Sequence, residues 1–132
     1  MKWDEFESEV DKLAARIESV PDVVIGIARG GVIPAVLLSK SLKVKDMYVL
    51  KVQKEGDERR VMAEIFTDVS NSKVLLVEDM LETGKSIIVA KQYLEAKGAE
   101  VKTACLYTMP ITEIQPDYFL REVREVVHFP WE

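Results

Sequence analysis

The residues most suited to a functional site are three acidic residues followed by a turn of small and polar residues. Glu78 and Asp79 are adjacent, Glu82 follows three residues later, and segment 83–86 reads Thr-Gly-Lys-Ser. The glycine lets the backbone approach an anion, and the surrounding hydroxyls and amides favour a phosphate. The acids would repel a phosphate that faced them, so we expect them to accept hydrogen bonds from sugar hydroxyls or to help hold a divalent cation. This pattern predicts a sugar-phosphate site.

The elements on either side of these residues place them at the edge of a sheet. Residues 74–77 are an unbroken apolar run, which predicts a strand buried on both faces of a parallel sheet. Residues 87–97 are mostly helix formers and Gly98 follows them, so a helix is expected there. The acids therefore lie where a strand ends and a helix begins, which is where open α/β sheets bind ligands.

A second strand, glycine turn and helix occur earlier in the chain. Residues 23–28 form another apolar run, Arg29 and Gly30 follow it, and residues 33–42 have the pattern of a helix. A glycine after a strand is commonly only a turn. Combined with the acidic turn, however, this one predicts a second anion-binding site.

The remaining elements complete one α/β domain over residues 1–132. An amphipathic helix is expected from residue 3 to about residue 20, with Asp4 as its N-cap. Further elements are predicted as strands at 47–52, 61–66, 101–107 and 123–129, a charged loop or hairpin tip at 54–60, and a loop at 109–116. This order favours a mostly parallel open sheet with helices on both faces.

Composition argues against several other classes of protein. The chain has 132 residues, of which 48% are hydrophobic and 31% charged, as in an ordinary globular domain. A net charge of -5 without a basic run argues against a nucleic-acid surface. One cysteine, Cys105, and one histidine, His128, argue against structural zinc. The sequence contains neither a signal peptide's apolar centre nor a membrane-length apolar run, so no membrane contact and a cytoplasmic location are expected.

Two common nucleotide-binding motifs are not matched. The tripeptide Gly84-Lys85-Ser86 has the ending of a P-loop, but the glycine required five positions earlier is replaced by Asp79. The Gly-x-Gly-x-x-Gly pattern does not occur, which leaves a dinucleotide-binding domain with little support.

Segment 74–86 resembles the phosphoribosyl-diphosphate loop of the type I phosphoribosyltransferases. Three further features resemble the xanthine-guanine and hypoxanthine-type purine enzymes of that family: a helix opening with Trp3-Asp4, the turn at 28–31, and the C-terminal Pro130-Trp131-Glu132. The resemblance implies that family's fold, with a small hood from the C-terminal segment. It also implies a Mg²⁺-dependent homodimer or homotetramer that transfers the 5-phosphoribosyl group to a nucleobase, here a purine such as guanine, hypoxanthine or xanthine, and releases diphosphate.

The resemblance also assigns residues to the phosphoribosyl diphosphate. Glu78 and Asp79 would hold the ribose hydroxyls, and Asp79 would in addition lie close to Mg²⁺. Arg29 and Gly30 would bind the diphosphate. The 5'-phosphate would be bound by the residues of the polar turn, Thr83, Gly84, Lys85 and Ser86.

Two catalytic residues and two base contacts are implied in the same way. Glu82 would exchange a proton with the purine N7, and Arg59 would close over the diphosphate as the arginine of a mobile loop. Met109 and Val127 would contact the base, Val127 through its backbone.

The chain departs from the family pattern mainly where the base would bind. Glu82 stands where the family usually has aspartate. The lysine that recognises O6 of a 6-oxopurine, expected near Pro110, is absent, and Val126 replaces the stacking aromatic. Two alternatives therefore stay open: a non-catalytic or regulatory protein that binds phosphoribosyl diphosphate or a nucleotide, and a phosphoribosyltransferase for another base.

Overall fold

The computed structural model describes residues 1–63, 65 and 67–132. The helices of the described chain are α1 (Trp3–Arg16), α2 (Val32–Ser41) and α3 (Lys85–Ala96). The strands are β1 (Val23–Ala28), β2 (Met47–Glu55), β3 (Glu58–Ala63), β4 (Lys73–Val77), β5 (Met80–Leu81), β6 (Glu100–Ala104), β7 (Tyr107–Thr108) and β8 (Arg121–Glu122).

The continuous apolar runs form the middle of the main sheet. Its strand order is β3-β2-β1-β4-β6, and neighbouring strands are parallel except for the antiparallel β2–β3 hairpin. Val23 lies opposite Val74 and Gly26 opposite Val77, so β1 and β4 end at the same edge. This confirms the predicted mostly parallel sheet and brings the two polar turns that follow these strands to one edge.

Alternate side chains of the central strands pack against helices on opposite faces. Leu75 and Val77 of β4 belong to the cluster that contains α1 and α2. Leu76, between them, belongs to the cluster that contains α3. This is the two-sided burial that a strand in the centre of a parallel sheet requires, and it confirms helices on both faces.

A smaller sheet and the end of the chain form the predicted hood. Strands β5, β7 and β8 pair in parallel in that order. Beyond β8, Phe129 and Trp131 pack edge-on against Phe6 of α1, with ring centroids 6.2 and 4.8 Å away. We refer to residues 118–132 as the C-terminal hood.

Two strand predictions in the second half of the chain are wrong in extent. The strand expected at 123–129 is not observed. The Val123 amide still donates a hydrogen bond to the Thr108 carbonyl of β7 at 2.8 Å, but the hood has strand form only at Arg121–Glu122. The strand expected at 101–107 is split into β6 and β7. The split occurs because Cys105 donates its amide to Tyr118 and Leu106 donates its amide to Asp79, which turns the chain from one sheet to the other.

Smaller differences concern element ends. The helix α1 begins at Trp3, and Asp4 is not its N-cap but accepts a hydrogen bond from the neighbouring Glu5 amide at 3.0 Å. The charged segment at 54–60 is a hairpin tip that turns at Gly56, where φ is +63°. The predicted strand at 61–66 is observed only to residue 63, and residues 64 and 66 lie outside the described part of the chain. None of the helices described is long and apolar enough to span a membrane.

Truncating the central strand should destabilise the fold strongly. Leu76 is fully buried in β4, so Leu76→Ala should lower the free energy of unfolding by about 2–5 kcal/mol through lost apolar burial and a residual cavity. Chemical denaturation measures this value. Val49→Ala is a matched control, because Val49 is a strand residue with 42% of its surface exposed. Equal losses from the two variants would contradict the assigned packing.

Candidate active site

The turns after β1 and β4 lie against each other. A Cβ placed on Gly30 would lie 2.5 Å from Asp79 Oδ2, so only a residue without a side chain fits here without displacing the carboxylate. The peptide bond between Ala28 and Arg29 is cis. Arg29 itself is exposed beside this contact. The predicted anion turn and the predicted acidic turn are therefore two walls of one site.

The adjacent acids at the end of β4 are poorly compensated. Burial raises the pKa of Glu78 well above its ordinary value, and the neighbouring Asp79 charge raises it further. Burial likewise raises the pKa of Asp79 to about 6, against a hydrogen bond of 2.6 Å from the Met80 amide that lowers it. The charges of Glu132 and Glu82 add to the rise at Asp79. Such a pair favours a ligand that donates hydrogen bonds or carries positive charge.

The Thr-Gly-Lys-Ser turn is shaped by its glycine. Gly84 has a φ of +78°, and an added Cβ would meet Thr112 Oγ1 at 2.7 Å. The Thr83 hydroxyl accepts a hydrogen bond from the Lys85 amide at 3.3 Å, and α3 begins at Lys85. The first amides of a helix have no partners within it, so this turn offers the donors and positive dipole end that suit a phosphate.

A single cavity of about 740 Å³ joins these features. It is lined by both turns, the β3 arginine and the end of the hood: Arg29, Gly30, Arg59, Glu78, Asp79, Met80, Leu81, Glu82, Thr83, Gly84, Lys85, Ser86, Ile87, Val126, Val127, Trp131 and Glu132. The sequence-predicted residues are thus brought together, with one exception. Met109 does not line the cavity but packs against the core cluster of α1 and α2, so its assignment as a base contact has no geometric support.

Sequence reasoning gave no role to Glu132. This residue lines the cavity, and its charge raises the pKa of Asp79. Its position directly after Trp131 in the C-terminal motif was the available signal. Trp131 both lines the cavity and packs on Phe6 of α1.

Two adjacent arginines of the β2–β3 hairpin have different surroundings. Arg59 lines the cavity and donates a hydrogen bond to the Glu58 carbonyl at 3.1 Å. Arg60 instead pairs with Glu55 across the hairpin at 3.3 Å. The alternation of a strand thus directs one arginine to the site and the other away from it.

The donor set fits a divalent cation that is shared with a ligand. Asp79 offers hard carboxylate oxygens at the cavity, in surroundings that already penalise its negative charge. In the described residues, no group of three or more His, Cys, Asp and Glu side chains could hold a metal ion without help. Mg²⁺ commonly binds through one or two carboxylates, water and substrate phosphates, so these residues fit it.

Comparison with known families agrees with this geometry. The model of the phosphoribosyl transferase domain matches residues 2–132, which is nearly the whole chain. The chain belongs to the phosphoribosyl transferase domain family.

Individual relatives narrow the comparison to purine enzymes. The chain is similar to a purine phosphoribosyltransferase of Pyrococcus horikoshii, with 35% identity, a TM-score of 0.93, and coverage of 100% of this chain and 92% of the other. A hypoxanthine-guanine phosphoribosyltransferase of Lactococcus lactis is 33% identical over 80% of this chain and 63% of its own length. A xanthine-guanine phosphoribosyltransferase of Idiomarina loihiensis is 23% identical over 100% of this chain and 85% of its own length.

Removing the charge of Asp79 should stabilise the ligand-free protein. Because its folded-state pKa is raised from 3.8 to about 6, ionised Asp79 destabilises the fold increasingly as the pH rises through that range. Asp79→Asn should therefore raise the unfolding free energy by roughly 1–3 kcal/mol at pH 8, and by much less at pH 4. Denaturant titrations in a chelator test this, with Asp57→Asn as the exposed control. A variant less stable than the parent at pH 8 would contradict it.

Proposed function

We propose that this protein is an enzyme that transfers the 5-phosphoribosyl group from 5-phosphoribosyl 1-diphosphate to a purine base and releases diphosphate. The observation that carries the proposal is the meeting of two anion-binding turns and an acidic pair in one cavity at the ends of β1 and β4. The family membership and the purine enzymes among the relatives support the same reaction.

The donor would occupy the cavity from α3 to the β1 turn. We assign the 5'-phosphate to the amides and hydroxyls of residues 83–86, and the ribose hydroxyls to Glu78 and Asp79. The diphosphate would then lie beside Arg29 and Gly30. Holding the sugar at both ends fixes the anomeric carbon in line with the incoming base nitrogen, and this alignment lowers the entropic part of the barrier.

The chemical step exchanges one bond at the anomeric carbon for another. The bond to the diphosphate oxygen breaks with its electron pair on oxygen, and a purine ring nitrogen bonds to the carbon. Negative charge grows on the leaving group, where Arg29, Arg59 and the Gly30 amide would stabilise it. Glu82 would exchange a proton with the purine N7, which keeps the base neutral as its new bond forms. Closure by the Arg59 hairpin would exclude water from the ribosyl cation.

A bound Mg²⁺ would supply positive charge against the phosphate oxygens. Carboxylates outnumber cationic side chains in the cavity lining, where Glu78, Asp79, Glu82 and Glu132 face Arg29, Arg59 and Lys85. A bound ligand with several phosphates would add further negative charge to a cavity in which acidic side chains already outnumber cationic ones. We therefore assign Mg²⁺ as the cofactor and Asp79 as its protein ligand.

One observation favours a second candidate, a regulatory protein that binds phosphoribosyl diphosphate or a nucleotide without turnover. The hood side of the cavity is lined by Val126, Val127, Trp131 and Glu132, which include no cation to recognise a purine O6. Trp131 still offers an aromatic ring there, so the proposal of an enzyme is retained.

A diphosphate-release assay over adenine, guanine, hypoxanthine, xanthine, uracil and orotate decides between these functions. We expect turnover with at least one purine in the presence of Mg²⁺, and its loss in a chelator and in Asp79→Asn. Tight binding of the diphosphate with no turnover on any base would favour the regulator. Turnover only with a pyrimidine would indicate a different acceptor. The whole assignment would be overturned if no base gave turnover and Asp79→Asn left ligand binding unchanged.

The hairpin arginines provide a matched pair of variants. Arg59→Ala should lower kcat by about 10²–10³-fold, because it removes a cation from the growing charge of the leaving group. Arg60→Ala should leave kcat essentially unchanged, because Arg60 pairs with Glu55 instead. Steady-state kinetics with the best base measure both. Equal effects of the two substitutions would argue against the assigned role of Arg59.

Two features of the protein in the cell stay predictions: a homodimeric or homotetrameric assembly and a cytoplasmic location. Light scattering of the purified protein measures the first. No nucleic-acid or membrane partner is expected.

A further inference from the structure

A buried carboxylate on α1 holds the start of the hood. Glu9 has only 7% of its surface exposed. It accepts hydrogen bonds from the Tyr107 hydroxyl at 2.7 Å and from Arg121 at 2.5 Å, and Lys12 lies 3.4 Å away. Burial raises the pKa of Glu9, but the hydrogen bonds from Tyr107 and Arg121 outweigh it and leave the pKa below its ordinary value. The ionised carboxylate is therefore a fixed anchor.

Tyr107 connects this anchor to the cavity through stacked rings. The Tyr107 and Phe129 rings are nearly parallel, at 12°, with centroids 6.1 Å apart. Phe129 and Trp131 are stacked at 8° and 5.0 Å. Trp131 lines the cavity together with Val126 and Val127. A tilt of Tyr107 would thus be passed through two ring contacts to the wall on the hood side.

We propose that Glu9 is a positioning residue for base binding: by fixing Tyr107, it sets the orientation of Phe129 and, through that ring, of Trp131, which lines the hood side of the cavity. The inference rests on the proposed function, because it assigns that wall to the base. It adds a residue on α1 that lines no part of the cavity.

Geometry explains this network better than stability does. The ion pair is only half buried, since 55% of the Arg121 side chain is exposed, and an exposed partner contributes little net free energy to stability. Hydrogen bonding is directional, however, and the Tyr107 hydroxyl can meet Glu9 in only a narrow range of ring orientations. Arg121 restricts the ring further, since its guanidinium carbon lies 4.7 Å from the ring centroid.

The test uses substitutions that keep shape and remove the bond or the charge. Tyr107→Phe keeps the stacked ring, and Glu9→Gln keeps an acceptor while weakening the pairing with Arg121. Each should raise KM for the base by roughly 2–10-fold, the value of one hydrogen bond. KM for phosphoribosyl diphosphate should stay the same, because the donor half lies on the other turns. Glu7→Gln, on the exposed side of α1, is the matched control and should change neither.

A second readout follows Trp131 directly. In a Trp3→Phe background, Trp131 is the remaining tryptophan, and its emission reports the hood wall. The emission should shift in Glu9→Gln and Tyr107→Phe, and titration with the purine nucleotide product should show correspondingly weaker binding. The double variant should be no worse than the stronger single variant, because the two residues act as one unit.

Separate outcomes would overturn separate claims. A parent protein with no turnover on any base would overturn the proposed function. An active parent whose two variants keep the parental KM for the base and the parental Trp131 emission would overturn the positioning role alone. Variants that raise both KM values together and also lower the unfolding free energy would show that Glu9 only stabilises the fold. That result would likewise overturn the positioning role.

Discussion

The structure depends on charge placed at the end of a buried strand. Strand β4 lies between β1 and β6 and is packed in the core on both faces, so Glu78 and Asp79 emerge half-buried at its end, where they line the cavity. Among the described residues, neither forms an ion pair with a cationic side chain. Their raised pKa values record that cost. Such an unfavourable free energy is typical of functional sites, where a bound ligand offsets it.

The two glycine turns follow from the same constraint. Gly30 must be a glycine because its missing side chain leaves room for the Asp79 carboxylate. Gly84 must be one because it has a positive φ at the start of α3 and because an added Cβ would meet Thr112 Oγ1 at 2.7 Å. Acid, anion turn and helix end are therefore interdependent. Moving any one of them by the width of a methyl group would disturb the others.

This local dependence explains what the sequence could and could not predict. The run at 74–77 and the turn after it are defined by neighbours in the chain, so the strand, the helix and the meeting of the polar turns at one cavity were predictable. The structure of the hood, in contrast, depends on contacts with residues far away in the sequence. Segment 123–129 has the β-branched residues of a strand, but its bonding to β7 begins with the Val123 amide and does not continue as a strand, and Phe129 packs against α1 instead. Met109 likewise packs against the core cluster of α1 and α2 and does not line the cavity, and its role as a base contact stays a prediction.

The same contrast separates the two halves of the site. The half that we assign to the phosphoribosyl donor is built from turns whose shape is set within a few residues. The hood half is set by contacts between residues about a hundred positions apart, as between Glu9 and Tyr107 or Phe6 and Trp131. Substitutions in the hood can therefore alter the hood side of the cavity without disturbing the two polar turns that we assign to the phosphoribosyl diphosphate. The departures at Val126 and near Pro110 are therefore compatible with unchanged polar turns, and under the proposed assignment the choice of acceptor base can diverge before the residues that bind the donor.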